Sequence, residues 1–278
     1  MAMPFSLSTG FFYDLTPEAT VDEFAAAGYT HCEFGLEHGI LLLDRGGDAH
    51  KLGEQLRAYA EAKGLCFPQG HLHLGLELCR DVDALKTWLD MFQGLGIKAA
   101  VIHANGDSSL PYEVQLEQRS AALRQLTDHI RGTDMTICLE NLFSHPILHT
   151  ADTLLELVEA AGSDHLGICL DIGHLHRTAS HGLTTQTSRE FIEKCGSKLK
   201  ALHVHDNMGD LDDHLLPFCK NGLDWKLFIS SLVESGYEGL FNMELSGKDN
   251  SPLQVRRLRL QYAKQLHTFL FSEAFLNR

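Results

Sequence analysis

Histidine and carboxylate side chains recur at the C-terminal ends of short apolar runs in this 278-residue chain. His71 and His73 follow the run 65–71, His103 falls in 99–104, and Glu140 falls in 136–141. Asp171 and His174 close the run 167–172, while His203, His205 and Asp206 lie in and after 201–205. Asp212 and His214 follow a few residues on, and Glu244 stands near the end of 240–245. A single histidine at such a place is usually a hydrogen-bonded core residue, and His31, His38, His165 and His267 are expected to be that. A single carboxylate such as Glu33 is expected to cap a helix or pair with an arginine. The set as a whole is different, because every unpaired buried charge carries a large desolvation cost. A divalent cation removes that cost, so the pattern predicts a metal site with titratable groups around it.

The runs that carry these residues number eight: 5–12, 31–35, 65–71, 99–104, 136–141, 167–172, 201–205 and 240–245. They are short, apolar and mostly bounded by Gly, Asp or Asn, as buried parallel strands are. Helix-period segments alternate with them at about 48–63, 81–94, 111–131, 151–161, 187–195, 224–235 and 252–270. The first helix opens at Thr16-Pro17-Glu18, a cap followed by an N1 proline and a first-turn acid. Gly28, Gly64, Gly94, Gly132, Gly162, Gly196 and Gly236 stand where left-handed C-terminal caps belong. Eight strand–helix units predict an α/β fold, a (β/α)8 TIM barrel forming a single domain over 1–278, ahead of a doubly wound sheet. In such a barrel the C-terminal strand ends share one mouth, and the ligand-type residues stand at those ends.

Composition narrows the partners. Lys plus Arg total 23 against 37 for Asp plus Glu, a net charge of −14, and 44% hydrophobic residues are enough for a sizeable core. An acidic protein is a poor partner for a polyanion, so no nucleic acid is expected. The segment 36–45, read as a loop, is apolar and acidic with one arginine, and 208–214 has no basic residue besides His. Arg177 and Lys220 are expected as solvated charge, and Phe11, Phe12 and Tyr13 either pack or wall a pocket. No apolar run approaches the roughly 18–20 residues of a membrane span. Residues 1–6 lack the basic-then-apolar pattern of a secretory signal. Seven cysteines, an odd number without a Cys-x-x-Cys pair, are expected as small buried residues of a cytoplasmic protein.

Four segments resemble the xylose isomerase-like TIM barrel superfamily, in particular its sugar phosphate isomerase/epimerase and endonuclease IV group. They are Cys138-Leu-Glu140-Asn141, Leu170-Asp171-Ile-Gly-His174, His203-Val-His-Asp206-Asn207 with Asp212-Asp213-His214 and Gly222-Leu-Asp-Trp225, and Phe241-Asn-Met-Glu244. The resemblance covers essentially the whole chain. It implies one divalent cation held by Glu140, Asp171, His203 and Glu244, a mostly hard set suited to Mn²⁺, Mg²⁺ or Co²⁺ and open to Zn²⁺. It implies proton transfer next to a carbonyl through a metal-stabilised enediolate, with Glu140 and Glu244 as base and acid. His71, His103, His174, His205, Asp212 and His214 then become contacts to a small carbohydrate-like substrate. A homo-oligomer is compatible with all of this.

The same residues resemble endonuclease IV, which implies up to three Zn²⁺ with His71, His103, His174, Asp212 and His214 as additional ligands and phosphoester hydrolysis as the reaction. The acidic loops favour the small-molecule enzyme over a DNA-cutting one. A dehydratase of the inosose or dehydroshikimate type would share the metal set. Two departures bear on the finer assignment. The Pro-x-Gly-x-Gly turn of relatives reads Pro217-Phe-Cys-Lys-Asn-Gly222 here, and the arginine of the ketose 3-epimerase subgroup is absent from Asp206-Asn-Met-Gly209.

Overall fold

A helix between two short strands carries the chain back to its starting edge, so successive strands run parallel. The computed structural model of the chain describes residues 3–247 and 251–277; Met1 and Ala2, within the segment that lacks a signal pattern, lie outside them. Its strands are β1 Phe5–Leu7, β2 His31–Phe34, β3 Cys66–His71, β4 Ala99–Ile102, β5 Thr136–Glu140, β6 Leu166–Asp171, β7 Leu199–His203 and β8 Phe241–Met243. β2 to β7 pair in chain order as one parallel sheet, and β1 pairs with β8. Parallel bridges Ser8–Glu33 and Val204–Met243 join the two pieces. The result is a closed TIM barrel of eight parallel strands.

The helices are α1 Pro17–Ala26, α2 Leu36–Leu43, α3 Ala49–Glu61, α4 Val82–Leu95, α5 Tyr112–His129 and α6 Ala151–Ala161. They continue with α7 Ile172–Ser180, α8 Ser188–Cys195, α9 Trp225–Ser235, α10 Leu253–Leu270 and α11 Glu273–Leu276. Among the described residues none is long and apolar enough to cross a membrane. Most apolar side chains join one continuous core cluster. A second, small cluster consists of Ala99, Val101, Cys138, Cys169 and Ala201. Side chains two apart on a strand share a face. The next position on that face is His103 above Val101, Glu140 above Cys138, Asp171 above Cys169 and His203 above Ala201. The barrel's period of two thus places the ligand-type residues in one layer.

The structure corrects several expected elements. The run 5–12 is strand only to Leu7; the Ser8 hydroxyl then accepts from Gly10 N (3.3 Å) and the chain winds into a 3-10 turn over Thr9–Phe12. Phe11 and Phe12 are fully buried, so they pack rather than wall a pocket. The segment read as a loop after the second strand is α2, and α7 and α11 are helices beyond those the periodicity predicts. Gly96, at φ 79°, caps α4, whereas Gly94 lies inside that helix; the other six glycines expected as caps do have positive φ. All seven cysteines are free, and Cys66 and Cys79 are exposed rather than buried. Arg177 is not merely solvated: its guanidinium sits 3.8 Å from the Phe143 ring centre and donates to Asp210 O (3.1 Å).

Candidate metal centre

Glu140 ends β5 with its carboxylate almost fully buried. Its Oε2 lies 3.2 Å from His71 Nε2, 3.2 Å from His103 Nε2 and 3.3 Å from His203 Nδ1. Its Oε1 lies 3.2 Å from His174 Nδ1. Asp171, at the end of β6, has two tasks. One oxygen caps α7 by accepting from His174 N (2.6 Å), while Oδ2 faces His203 Nδ1 at 3.9 Å and His205 Nε2 at 3.2 Å. Asn141 locks this strand end, donating to Asp171 O and accepting from Asp171 N, both at 2.8 Å. Glu244 reaches His203 Nδ1 at 3.4 Å from the opposite side of the mouth, with about a quarter of its side chain exposed.

Ring tautomers decide what these contacts mean. A backbone carbonyl can only accept, so His71 donates Nδ1–H to Leu72 O (2.7 Å), His174 to Asn141 O (2.9 Å) and His214 to Glu244 O (2.7 Å). With Nδ1 donating, each ring turns Nε2 toward a carboxylate, His71 toward Glu140, and His174 and His214 toward Asp212 Oδ2 at 3.2 and 3.1 Å, so that Nε2 carries either a proton or a lone pair there. His203 has the reverse orientation. Its Nε2–H donates to Glu33 Oε2 (2.7 Å), leaving the buried Nδ1 facing three carboxylates without a hydrogen-bond partner among the described residues. Lone pairs aimed at carboxylate oxygens repel unless a proton or a cation lies between them.

The titration behaviour carries the same tension. Burial penalises charge on Glu140, yet His203, His103 and His174 hold its carboxyl well below the usual range. Burial also opposes charge on His214, yet Glu244 and Asp212 raise it to about 10. Burial is likewise outweighed at His174 and His203, which stand well above an ordinary imidazole. Protons and a metal compete for the same lone pairs. Ligands about 2.1 Å from one ion sit roughly 3.0–3.4 Å apart when adjacent, close to the spacings here. Four groups can gather ligand atoms around a point: Asp171 with His203 and Glu244; Glu140 with Asp171 and His174; His71 with His103 and Glu140; and His205 with Asp212 and His214. The donor set therefore fits a divalent cation.

Of the strand-end residues, His73 turns away to accept from Gly75 N (3.0 Å) and pack edge-on to Trp88, and Asp206 serves the loop after β7. The others, His71, His103, Glu140, Asp171, His174, His203, His205, Asp212, His214 and Glu244, lie in this network. His205 is nevertheless fully buried, stacked 4.1 Å from the His214 ring and held between Asp171 and Asp212, so it faces carboxylates and not open space. The Gly in Asp171-Ile-Gly-His174 makes room for it, since a Cβ on Gly173 would come 2.0 Å from its Cε1. Asp206 anchors the loop that carries Asp212 and His214. Its carboxylate accepts from Cys219 N (3.1 Å), Leu223 N (3.0 Å) and Trp225 Nε1 (2.8 Å), and a Cβ on Gly222 would collide with it. His214, Phe218 and Asn221 take positive φ within that loop, a conformation that non-glycine residues hold only under restraint.

Glu33 departs from its expected role. It neither caps a helix nor meets an arginine; it is buried between His203 and the Gln69 amide, which donates to Oε2 at 2.6 Å. Its signal in the sequence is the inward period of β2, where a carboxylate needs a buried partner. Beside the centre opens a cavity of about 200 Å³ lined by Ser8, Glu37, His71, His214, Glu244 and Ser246, among others.

The family described as xylose isomerase-like TIM barrel matches residues 21–266. An uncharacterised protein of Sinorhizobium fredii, y4fM, is 28% identical over 168 residues, 59% of this chain and 52% of the relative. A D-psicose 3-epimerase of Enterocloster bolteae is 27% identical over 207 residues, 68% of this chain and 65% of the relative. The chain thus spans about half to two thirds of the length of these curated relatives. The solved D-psicose 3-epimerase from Clostridium cellulolyticum H10 superposes with a TM-score of 0.78 over 97% of this chain and 100% of that one. At 14% identity that likeness speaks for the fold alone.

Proposed function

The chain belongs to the xylose isomerase-like TIM barrel family, and on that premise we propose that it is a metal-dependent sugar isomerase or epimerase acting at a carbon next to a carbonyl. The observation that carries the metal half is the Nδ1 of His203, which has no hydrogen-bond partner among the described residues and is buried facing the carboxylates of Glu140, Asp171 and Glu244. These four residues would hold the ion. The sugar half is supported by the D-psicose 3-epimerase relative and by the cavity, whose roughly 200 Å³ suits a ligand smaller than a drug-sized molecule.

When bound, a Mn²⁺, Mg²⁺, Co²⁺ or Zn²⁺ ion supplies Lewis acidity that offsets negative charge developing on substrate oxygens. The protein's own residues do the rest. Glu244 lines the cavity and is assigned removal or return of the proton at the reacting carbon; Glu140, deeper in the mouth, is its counterpart. His71 and His214 also line the cavity and are assigned contacts to hydroxyls, as are His103, His174 and Asp212 from the network beside it, with His205 bracing Asp171. The test is conversion of ketoses by metal-loaded protein: interconversion that stops on chelation supports the reading, and inertness toward every sugar overturns it.

A second reading has an observation of its own. Asp212 Oδ2 faces the Nε2 atoms of two imidazoles, and Glu140 Oε2 faces His71 and His103, so further ligand groups flank the first. A zinc phosphoesterase with up to three ions would use all of them. Three tightly held zinc ions per chain together with cleavage of abasic-site DNA would favour it.

A further inference from the structure

We infer that Glu33 is a positioning residue for the metal centre: it fixes the tautomer of His203, and through that ring it sets how tightly the central ion is held. The inference rests on the metal-site reading above and names a residue that reading does not use.

The orienting partners of the four imidazoles are not alike. His71, His174 and His214 each donate to a neutral backbone carbonyl. His203 alone among them donates to a carboxylate, Glu33 Oε2, across a chain separation of 170 residues. A carboxylate acceptor makes a shorter, stronger bond and raises the basicity of the ring's other nitrogen. That other nitrogen is the Nδ1 facing Glu140, Asp171 and Glu244. Glu33 is itself clamped. Gln69 Nε2 donates to the same Oε2 and also to Leu202 O (3.2 Å), the residue before His203, so the three side chains are fixed to one another and to β7.

No cap, arginine or solvent contact accounts for this carboxylate. It is completely buried, and its Oε1 has no hydrogen-bond partner among the described residues. A buried charge with one oxygen unused is costly. A cation on the far side of the His203 ring offsets that cost, since it polarises the Nε2–H toward Glu33.

Glu33→Gln keeps an oxygen for His203 but removes the charge; Glu33→Ala removes both. Each variant is titrated with Mn²⁺ against a competing chelator and compared with wild type, and the melting temperature of the metal-free forms checks folding. The expected result is a Kd raised about tenfold in Glu33→Gln and up to about a hundredfold in Glu33→Ala. A spectroscopic arm separates positioning from general loosening. One equivalent of Co²⁺ should give a paramagnetically shifted imidazole N–H proton that exchanges slowly in wild type and rapidly, or not visibly, in Glu33→Ala. Unchanged Kd values in both variants overturn the inference, as does a weakened Kd in Glu33→Ala with the slowly exchanging N–H intact. Wild-type protein that takes up no metal at all overturns the metal-site reading itself, and Glu33's role with it.

Discussion

Glu244 and Gln share a shape but differ in whether they can carry a proton at neutral pH, so Glu244→Gln removes the acid–base function while leaving an oxygen that can still face the ion. The expected outcome is a drop in kcat of about 10²–10⁴-fold or more that saturating metal does not restore, with a weakened metal Kd and a metal-free melting temperature near wild type. Unaltered turnover in a metal-loaded Glu244→Gln variant would move the proton transfer elsewhere. At this scale the sequence is informative where chemistry is unusual for a position. A carboxylate or imidazole two residues beyond Val101, Cys138, Cys169 or Ala201 interrupts an apolar strand and draws notice. Glu33 does the same between Cys32 and Phe34, but its partner lies 170 residues away, beyond the reach of any local pattern. Asn141 and Asp206 are visible as motif letters, yet their work is to clamp a strand end and a loop, which spacing alone does not reveal.

Elements pack as closely as their smallest residues allow, and α3 against α4 shows it. A Cβ on Gly94 would stand 2.0 Å from His50 O, and one on Gly53 would stand 2.2 Å from Met91 O. Gly94→Ala should therefore destabilise the fold by at least about 1–3 kcal/mol despite alanine's better helix propensity. Urea unfolding measures it, and a variant as stable as wild type would show that the pair can separate without cost. The same case explains a misplaced boundary. Glycine near a helix end looks like a cap, but here Gly94 is a contact and Gly96 is the cap. α2 is hard to see in the sequence because it enters from Gly35 with no side-chain cap and has Leu36, Ile40, Leu41, Leu42 and Leu43 spread around it. α7 is hidden by its own N-cap, since Asp171 reads as a ligand before it reads as a cap.

Across the whole molecule, stability should depend on both metal and pH. Chelation removes a ligand that binds only the folded state, a loss of about 2.7 kcal/mol at an ion concentration a hundred times Kd. For a chain of this size that lowers the melting temperature by roughly 5–10 °C; a scan unaffected by chelator would contradict a resident ion. Away from the centre, burial pushes the His38 imidazole down to about 4 from 6.5, where it bridges Thr20 and Thr9. Between those values the unfolded chain binds the extra proton, so this contribution is complete above pH 6.5 and is lost as pH falls toward 4. His38→Gln should flatten that part of the stability–pH curve, and an unchanged slope would assign the effect elsewhere. The closed barrel follows from eight apolar runs alternating with helices, so it is legible in the amino-acid sequence alone. The identity of the substrate is not, because it depends on the loops that shape the mouth. The most direct test of the central claim is proton NMR of metal-loaded protein incubated with ketoses in D₂O. The account predicts deuterium at the carbon next to the carbonyl, abolished by chelation and in Glu244→Gln. No exchange in any sugar, together with cleavage of abasic-site DNA, would contradict it.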